Sequence, residues 1–206
     1  MNAVRLAIAA SIFFMFCNFS FAQTTSFEEF QRKVNEGVAE IAKYQEVLQN
    51  PDVRVQYQAV QYMLKTNDPA LQRIAKEHAL FSTNPVLRNS AIKAIFDSGQ
   101  NVRLVVTSTG EKSLDVLGWL RRIDGTHDGN IGSVIFKVGE ARENCWVQYR
   151  NSCHFQLAGN SVLFKHEGNN SSYAAQSSLD LGNDGILRGV IFTKNGEARL
   201  SIDLKE

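Results

Sequence analysis

The chain lacks the excess of positive charge that a nucleic-acid partner would require. Residues 23–100 contain 9 lysines and arginines against 9 aspartates and glutamates, and residues 101–206 contain 12 against 12. Binding to a phosphate backbone depends on a basic excess. We therefore predict no nucleic-acid partner. Because no long apolar run follows Ala22, we also predict no membrane span in the mature chain.

The chain also lacks the linear motifs of common enzyme families. It has no Gly-x-Ser-x-Gly elbow, no His-Glu-x-x-His motif and no glycine-rich phosphate loop. Two loops, "DGTHDGN" and "DLGNDG", contain the Asp-Gly pairs of calcium loops. The twelfth position from Asp124 or Asp180 is Ile135 or Ile191, where an EF-hand loop needs a glutamate. We interpret both loops as turns and predict no metal and no cofactor.

Cysteine is scarce, with three residues, and the first lies in a segment typical of a secretory signal peptide. The opening "MNAVRLAIAASIFFMFCNFSFA" has one early charge, Arg5, then an apolar run over residues 6–16, and ends in the small-x-small pattern Ser20-Phe21-Ala22. The run is shorter than the roughly 20 residues that span a bilayer. We predict that residues 1–22, with Cys17, are removed, and that the mature protein enters the periplasm or the extracellular space.

Cys145 and Cys153 then remain, eight positions apart. Their spacing differs from the Cys-x-x-Cys pattern of redox sites, and a zinc site would need two further ligands at short spacings. An oxidising compartment favours a disulfide between an even number of cysteines. We predict a structural disulfide.

Residues 23–100 have a helical pattern throughout. Ser26 and Glu29 form a capping box, and an apolar stripe with a seven-residue repeat follows over residues 27–48. All three prolines of the protein follow an asparagine or aspartate, in Asn50-Pro51, Asp68-Pro69 and Asn84-Pro85. This pair is typical of an N-cap with proline at the first helical position, so three further helices are expected. Ser98-Gly99 is a plausible end for the last.

Two of these helix starts, "NPDVRVQYQAV" and "NPVLRNSAIKAI", lie 34 residues apart and share an Asn-Pro-x-[Val/Leu]-Arg opening with Arg54 and Arg88 in register. In these features residues 26–99 resemble HEAT or armadillo repeats. The resemblance implies antiparallel helical hairpins and a surface for a protein partner, and it implies no chemistry.

From residue 101 the helical period gives way to alternation separated by glycine and asparagine turns. In "EARLSIDL" Ala198, Leu200, Ile202 and Leu204 share one face, and in "ILRGVIFTK" the same rule groups Ile186, Val190 and Phe192. Seven or eight short strands predict an antiparallel β-sandwich or small β-barrel. The segment around Trp119 fits either a strand or a short helix. The fold class is therefore α+β, with a helical domain over residues 23–100 and a β domain over 101–206.

Alternation across a Cys145–Cys153 hairpin predicts which side chains share a face. The disulfide is expected to face the core, and the opposite, polar face is expected to contain Trp146, Gln148, His154 and Gln156. A flat aromatic ring beside amides and an imidazole is typical of glycan or small-ligand binding. The other interpretation is that the helical half or a loop packs over Trp146.

Three classes of function follow from these patterns. The first expectation is an exported, non-enzymatic protein-interaction module with an unknown protein partner. The second is glycan or small-ligand binding around Trp146. The third is an enzyme whose site no linear motif reveals, assembled from His127, His154, His166, Asp124 and Asp128.

Overall fold

The computed structural model describes residues 26–110, 114–143, 145–147, 152–167, 174–194 and 196–205. Among the described residues, 26–39 belong to one compact unit and those from 40 onward belong to a second. The described helices are α1 (Phe27–Leu48), α2 (Val53–Lys65), α3 (Pro69–Leu80), α4 (Pro85–Asp97) and α5 (Leu114–Arg121). The predicted signal peptide, with Cys17, lies outside the described residues.

In the first unit, α1 is stabilised by local interactions. The Ser26 hydroxyl accepts a hydrogen bond from the Glu29 backbone N–H at 3.2 Å, so Ser26 caps the helix as predicted. Ion pairs one turn apart join Lys33 to Glu29 at 2.9 Å and Arg32 to Glu36 at 2.8 Å. The apolar side chains of this part of the helix are exposed: Phe27, Phe30, Val34 and Val38.

Two of the three predicted proline starts are confirmed. Asp68 caps α3 and Asn84 caps α4, each side chain accepting hydrogen bonds from two backbone N–H groups of the first turn, with proline at the start of the helix. Gly99 follows the last turn of α4 with a φ of 67°, the left-handed conformation that glycine adopts without strain. These local rules therefore fix both ends of α4.

Helix α2 begins two residues later than predicted. The side chain of Asn50 accepts a hydrogen bond from the Asp52 backbone N–H at 2.9 Å, and Asp52 in turn accepts one from the Arg54 backbone N–H at 2.9 Å. Asp52 is therefore the N-cap, and Pro51 precedes the helix. Two capping residues compete here, and the second is the one that reaches the free N–H of the first turn.

Ten strands follow the first four helices, with α5 between β1 and β2. They are β1 (Asn101–Thr107), β2 (Thr126–Asp128), β3 (Ile131–Lys137), β4 (Glu140–Arg142), β5 (Cys145–Val147), β6 (Cys153–Ala158), β7 (Ser161–His166), β8 (Ala175–Leu181), β9 (Ile186–Thr193) and β10 (Gly196–Asp203). All neighbouring pairs are antiparallel, in the order β2-β3-β1-β10-β9-β8-β7-β6-β5-β4.

The α+β class and the antiparallel strands are confirmed, but the sandwich is not. The described strands form one continuous sheet that curls into a half-barrel. Helix α5, which the sequence pattern does not assign, contacts β2, β3, β9 and β10. Its buried side chains include Leu117, Trp119 and Leu120. A curled sheet has a concave face to fill, and a helix rather than a second sheet packs there.

Helix α4 is fixed to the sheet by both packing and hydrogen bonds. Phe96 is fully buried and its ring lies 5.0 Å from that of Phe155 on β6. The Arg88 guanidinium donates hydrogen bonds to the backbone carbonyls of Leu181 and Gly182 after β8, the second at 2.9 Å. The helices from α2 onward and the sheet share one cluster of buried apolar residues.

Strand β9 presents the opposite face from the one predicted. Leu187 and Ile191 are buried, whereas Val190 and Phe192 are exposed. The segment "ILRGVIFT" has apolar residues on both faces, so alternation alone cannot choose between them. The pairing with β10 decides it, since Leu187 lies opposite Ile202 and Ile191 opposite Ala198, both of which face the core.

Within the described ranges, α1 to α5 include no helix with the length and apolar character needed to cross a membrane.

Candidate functional site

The predicted disulfide joins Cys145 on β5 to Cys153 on β6, with Cα atoms 5.6 Å apart. The pairing of these strands is irregular. Trp146 lies opposite Phe155 and Val147 lies opposite Cys153, so β6 has one residue, His154, that lacks a partner on β5. An extra residue in one strand is a β-bulge, which bends the strand and changes which side chains share a face.

The bulge makes the predicted face assignment wrong. Cys145 lies opposite Gln156, Cys153 is exposed, and Cys145 is only half-buried, so the disulfide is on the outer side of the sheet. Trp146 and Phe155 are fully buried on the inner side. The prediction assumed unbroken alternation, and a single inserted residue moves part of the strand to the other face.

Helix α4 covers Trp146. The indole ring lies 4.8 Å from the ring of Phe96, and its Nε1 donates a hydrogen bond to Asp97 Oδ1 at 3.0 Å. The ammonium of Lys93 lies 6.0 Å from the ring centroid and forms an ion pair with Asp97 Oδ2 at 2.7 Å. The indole N–H and the Lys93 ammonium therefore share one carboxylate, and the indole ring has no solvent-exposed area in this structure.

The other predicted ligand-binding residues do not form an open surface with Trp146. His154 is buried with 4% of its surface exposed, and its Nδ1 lies 3.0 Å from the Lys165 carbonyl oxygen. Gln156 is exposed on the outer side of the sheet. Gln148 lies outside the described residues. The structure therefore does not bring these side chains to one open surface.

The residues of the enzyme hypothesis lie in two places. Asp124, with a φ of 62°, is in the turn before β2, and His127 and Asp128 are exposed on β2. His154 and His166 lie together, with ring centroids 5.7 Å apart. The structure thus joins the two buried histidines and leaves the other three residues at the surface.

Among the described residues, no three or more histidine, cysteine, aspartate or glutamate side chains are close enough together to bind a metal ion. This includes the described residues of the two glycine turns. In the second turn, Asp184 accepts hydrogen bonds from Arg188 at 2.6 and 2.8 Å. The Arg188 guanidinium holds the pKa of the Asp184 carboxyl well below its usual range. This carboxylate closes a turn with a neighbouring arginine.

A different surface feature, which sequence analysis missed, lies on the helices of the second unit. A cavity of about 760 Å³ opens between α2, α3, α4 and the end of β6. We call it the lysine groove. Its polar side chains include Lys65, Lys76, Lys93 and Asn89, and its apolar ones include Tyr57, Leu64 and Leu157.

The lysine groove has more positive charge than its own carboxylate neutralises. Lys93 is paired with Asp97, the one acidic residue that the lining contains among the described residues. Lys65 on α2 and Lys76 on α3 have no carboxylate within 4.0 Å among the described residues. The groove therefore offers two unpaired ammonium groups to an incoming anion.

The groove also contains an unused hydrogen-bond acceptor. The Asn89 side chain is half-buried, and its Oδ1 atom is shielded from solvent without a hydrogen-bond partner. A buried carbonyl oxygen without a donor costs about 1–3 kcal/mol, so this amide is a local cost to stability beside the groove. Sequence analysis could not find the groove because its lysines come from three helices, and each one alone is typical of a helix surface.

Comparisons with protein-family models, with curated proteins and with solved structures found no match to this chain. The function is therefore argued from the geometry of the chain itself.

Proposed function

We propose that this protein is an exported, non-enzymatic interaction module whose lysine groove binds an acidic segment of a protein partner. The observation that carries the proposal is the pair of unpaired ammonium groups, Lys65 and Lys76, at a cavity large enough for several side chains. Complementary charge at such a surface accelerates association and selects among partners.

The lining favours a protein partner over a nucleic acid. Tyr57, Leu64, Val86, Ala94 and Leu157 provide apolar surface for side chains. The described part of the lining contains no arginine, the residue that suits phosphate oxygens through its two parallel N–H groups.

The arrangement of the helices supports the same proposal. Helix α3 packs against both α2 and α4, and α2 also contacts α4. We infer that these helices form a short HEAT-like stack within a helical domain over residues 23–100, and that residues 101–206 form the β domain that covers it. Repeats of this kind bind partners on the surface formed by neighbouring helices.

Export completes the proposal. Two observations support it: the short apolar run at residues 6–16 and the disulfide that joins the two cysteines outside the signal segment. Disulfides form and persist mainly in oxidising compartments. We infer cleavage near Ala22 and a location in the periplasm or outside the cell.

The test is binding of a fluorescent peptide rich in glutamate and leucine, measured by anisotropy at low and moderate salt. The double variant Lys65→Glu/Lys76→Glu should weaken binding about tenfold or more, because each reversal replaces attraction by repulsion. Salt should weaken the wild-type interaction. The matched control is Lys137→Glu, an exposed lysine of β3 outside the groove, which should leave affinity unchanged.

Two further probes separate the alternatives. A neutral peptide of the same length should bind poorly, and a single-stranded oligonucleotide of equal charge should bind less tightly than the acidic peptide. Tighter binding of the oligonucleotide, or equal peptide affinity in the wild type and the double charge-reversal variant, would overturn the proposal.

One observation favours a second candidate, ligand binding on the outer face of the sheet. A cavity of about 560 Å³ there is lined by Gln156, Leu163, Gln176 and Phe192, and Phe192 is 48% exposed. Phe192 lies directly opposite Gln176, so an aromatic ring adjoins an amide. This combination suits a sugar ring, and chemical-shift changes of the Gln156 and Gln176 side-chain amides on titration with oligosaccharides would test it.

A further inference from the structure

The buried pair formed by His154 and His166 has no role in the lysine groove. We call it the histidine pair. The carbonyl of Lys165 can only accept a hydrogen bond, so Nδ1 of His154, 3.0 Å away, carries the proton. In the neutral ring Nε2 is then a bare acceptor, and this atom is buried without a partner.

The second ring has the same deficiency. His166 is half-buried at the end of β7, its ring centroid lies 5.7 Å from that of His154, and its Nδ1 is shielded from solvent without a hydrogen-bond partner. Each imidazole therefore holds an unused nitrogen in the protein interior, and each lies beside the other. A proton accepted by one ring would place a positive charge next to its neighbour.

Aromatic and apolar groups pack against the pair from β3, α5 and β8, and His166 also lines a surface cavity of about 320 Å³. Phe136 on β3 lies 5.5 Å from the ring of His154 and 5.9 Å from that of His166, and Trp119 on α5 lies 5.9 Å from His166. On β8, Ala175 lies opposite His166. None of these three neighbours has an ionisable side chain. They therefore cannot stabilise a positive charge on either histidine ring.

The charged groups near the pair are Lys165 on β7, Glu167 directly after it, and Lys194 after β9, which lines one surface cavity together with His166. Glu167 favours protonation of His154, but its carboxylate already pairs with Lys165 at 2.5 Å and accepts a hydrogen bond from the Ser152 hydroxyl at 3.4 Å. Glu167 therefore offsets only part of the cost of charging the interior.

We propose that the histidine pair is an acid-sensitive lock: with both rings neutral it holds β6 and β7 against β3 and α5, and protonation of either ring loosens this packing. The bulge supports the proposal, because His154 is the extra residue of β6 and is turned inward by it. A local opening at β6 and β7 would then follow mild acidification.

The direction of the pH effect follows from the burial of the rings. Burial lowers the pKa of both imidazoles, and the charge of His154 lowers that of His166 further. The unfolded chain, with a histidine pKa of about 6.5, binds protons more readily than the folded chain. The stabilisation is therefore complete above about pH 6.5 and is lost as the pH falls towards the folded-state values.

The first test measures each imidazole separately by NMR of the ring C–H signals in the full chain. His154 and His166 should titrate below the value of about 6.5 that is usual for histidine, and in His154→Asn the pKa of His166 should rise because its charged neighbour is absent. Asparagine also preserves a donor towards the Lys165 carbonyl. An unchanged pKa of His166 in this variant would overturn the proposal.

The second test measures the loosening itself. Amide hydrogen exchange of β6 and β7, corrected for the intrinsic pH dependence, should lose several-fold more protection than β9 and β10 between pH 7.5 and 5.5. His166→Phe, which retains an aromatic ring beside Phe136 and Trp119, should reduce this loss.

A matched control addresses His78, another half-buried histidine. Burial also lowers the pKa of His78 on α3, whose Nε2 has no partner, so this residue adds its own acid sensitivity. His78→Gln should reduce the overall pH dependence of stability and leave the loss at β6 and β7 unchanged. If His78→Gln abolishes that local loss, or if wild-type β6 and β7 keep full protection at pH 5.5, the lock does not exist.

Discussion

At the scale of single residues, Asp97 joins parts of the molecule that are far apart in sequence. Its carboxylate accepts a hydrogen bond from the indole N–H of Trp146 and pairs with Lys93, which lines the lysine groove. An anionic segment that draws Lys93 away would therefore change the environment of the indole. Trp146 fluorescence is an intrinsic reporter for occupation of the groove.

Replacement of the indole tests how much this hydrogen bond contributes. Trp146→Phe retains a ring beside Phe96 but leaves Asp97 without the indole donor. The loss of the bond and of buried area should lower the free energy of unfolding by about 2–4 kcal/mol. Urea denaturation measures it. Tyr62→Phe, at an exposed ring on α2, is the control and should change nothing, whereas equal stability of both variants would contradict this account.

At the scale of elements, the two arginines that lie in register in the helix starts have different neighbours. Arg88 donates to the backbone carbonyls of Leu181 and Gly182 and so joins α4 to the end of β8. Among the described residues, the partner of Arg54 is Asp52, at the exposed start of its own helix. The same sequence position thus contributes to tertiary structure in one helix and to local structure in the other.

Substitution of each arginine by methionine should separate these roles. Arg88→Met keeps the aliphatic stem but removes the donors, leaving two carbonyls without this partner, and should cost about 1–3 kcal/mol of unfolding free energy. Arg54→Met should have no measurable effect on stability. Thermal denaturation of the two variants measures these stabilities. A larger loss of stability for Arg54→Met than for Arg88→Met would refute the prediction.

Glycines on two elements provide a second matched comparison. A Cβ at Gly189 on β9 would lie 2.0 Å from the Ser178 carbonyl oxygen on β8, so the strands would have to separate. At Gly118 in α5 a Cβ would meet nothing within 4 Å. Gly189→Ala should cost about 3 kcal/mol or more, and Gly118→Ala should stabilise by up to about 1 kcal/mol. The midpoints of urea denaturation of the two variants measure this difference in stability. Equal midpoints for Gly189→Ala and Gly118→Ala would contradict the prediction and show that β9 accommodates the added methyl group.

At the scale of the whole molecule, the sequence predicted what local rules determine. Ser26, Asp68 and Asn84 cap helices because their side chains reach nearby N–H groups, and β10 alternates cleanly because only one of its faces is apolar. The inner face of β9 and the bulge at His154 depend on pairing with other strands, which no local pattern contains. The same is true of the lysine groove, which exists only once three helices pack.

Export makes a prediction for the intact molecule. The protein recovered from the exported fraction should begin at Gln23, and its mass should be lower by two hydrogens because of the Cys145–Cys153 bond. Cys145→Ser/Cys153→Ser should lose about 2.5 kcal/mol of stability, the chain-entropy effect expected for a loop of this length. Mass spectrometry and urea denaturation measure both. A cytosolic, uncut chain in which Cys145 and Cys153 are both free thiols would refute the export proposal.

The sheet ends in two very short outer strands, β2 and β4, each of three exposed residues. Strands this short have few backbone groups at the sheet edge with which a strand of another molecule could pair. The charged side chains of Asp128, Glu140 and Arg142 lie on these edge strands. Border strands that are this short and charged prevent stacking into fibrils. Concentrated solutions of the folded protein should therefore remain clear and fail to bind thioflavin dyes.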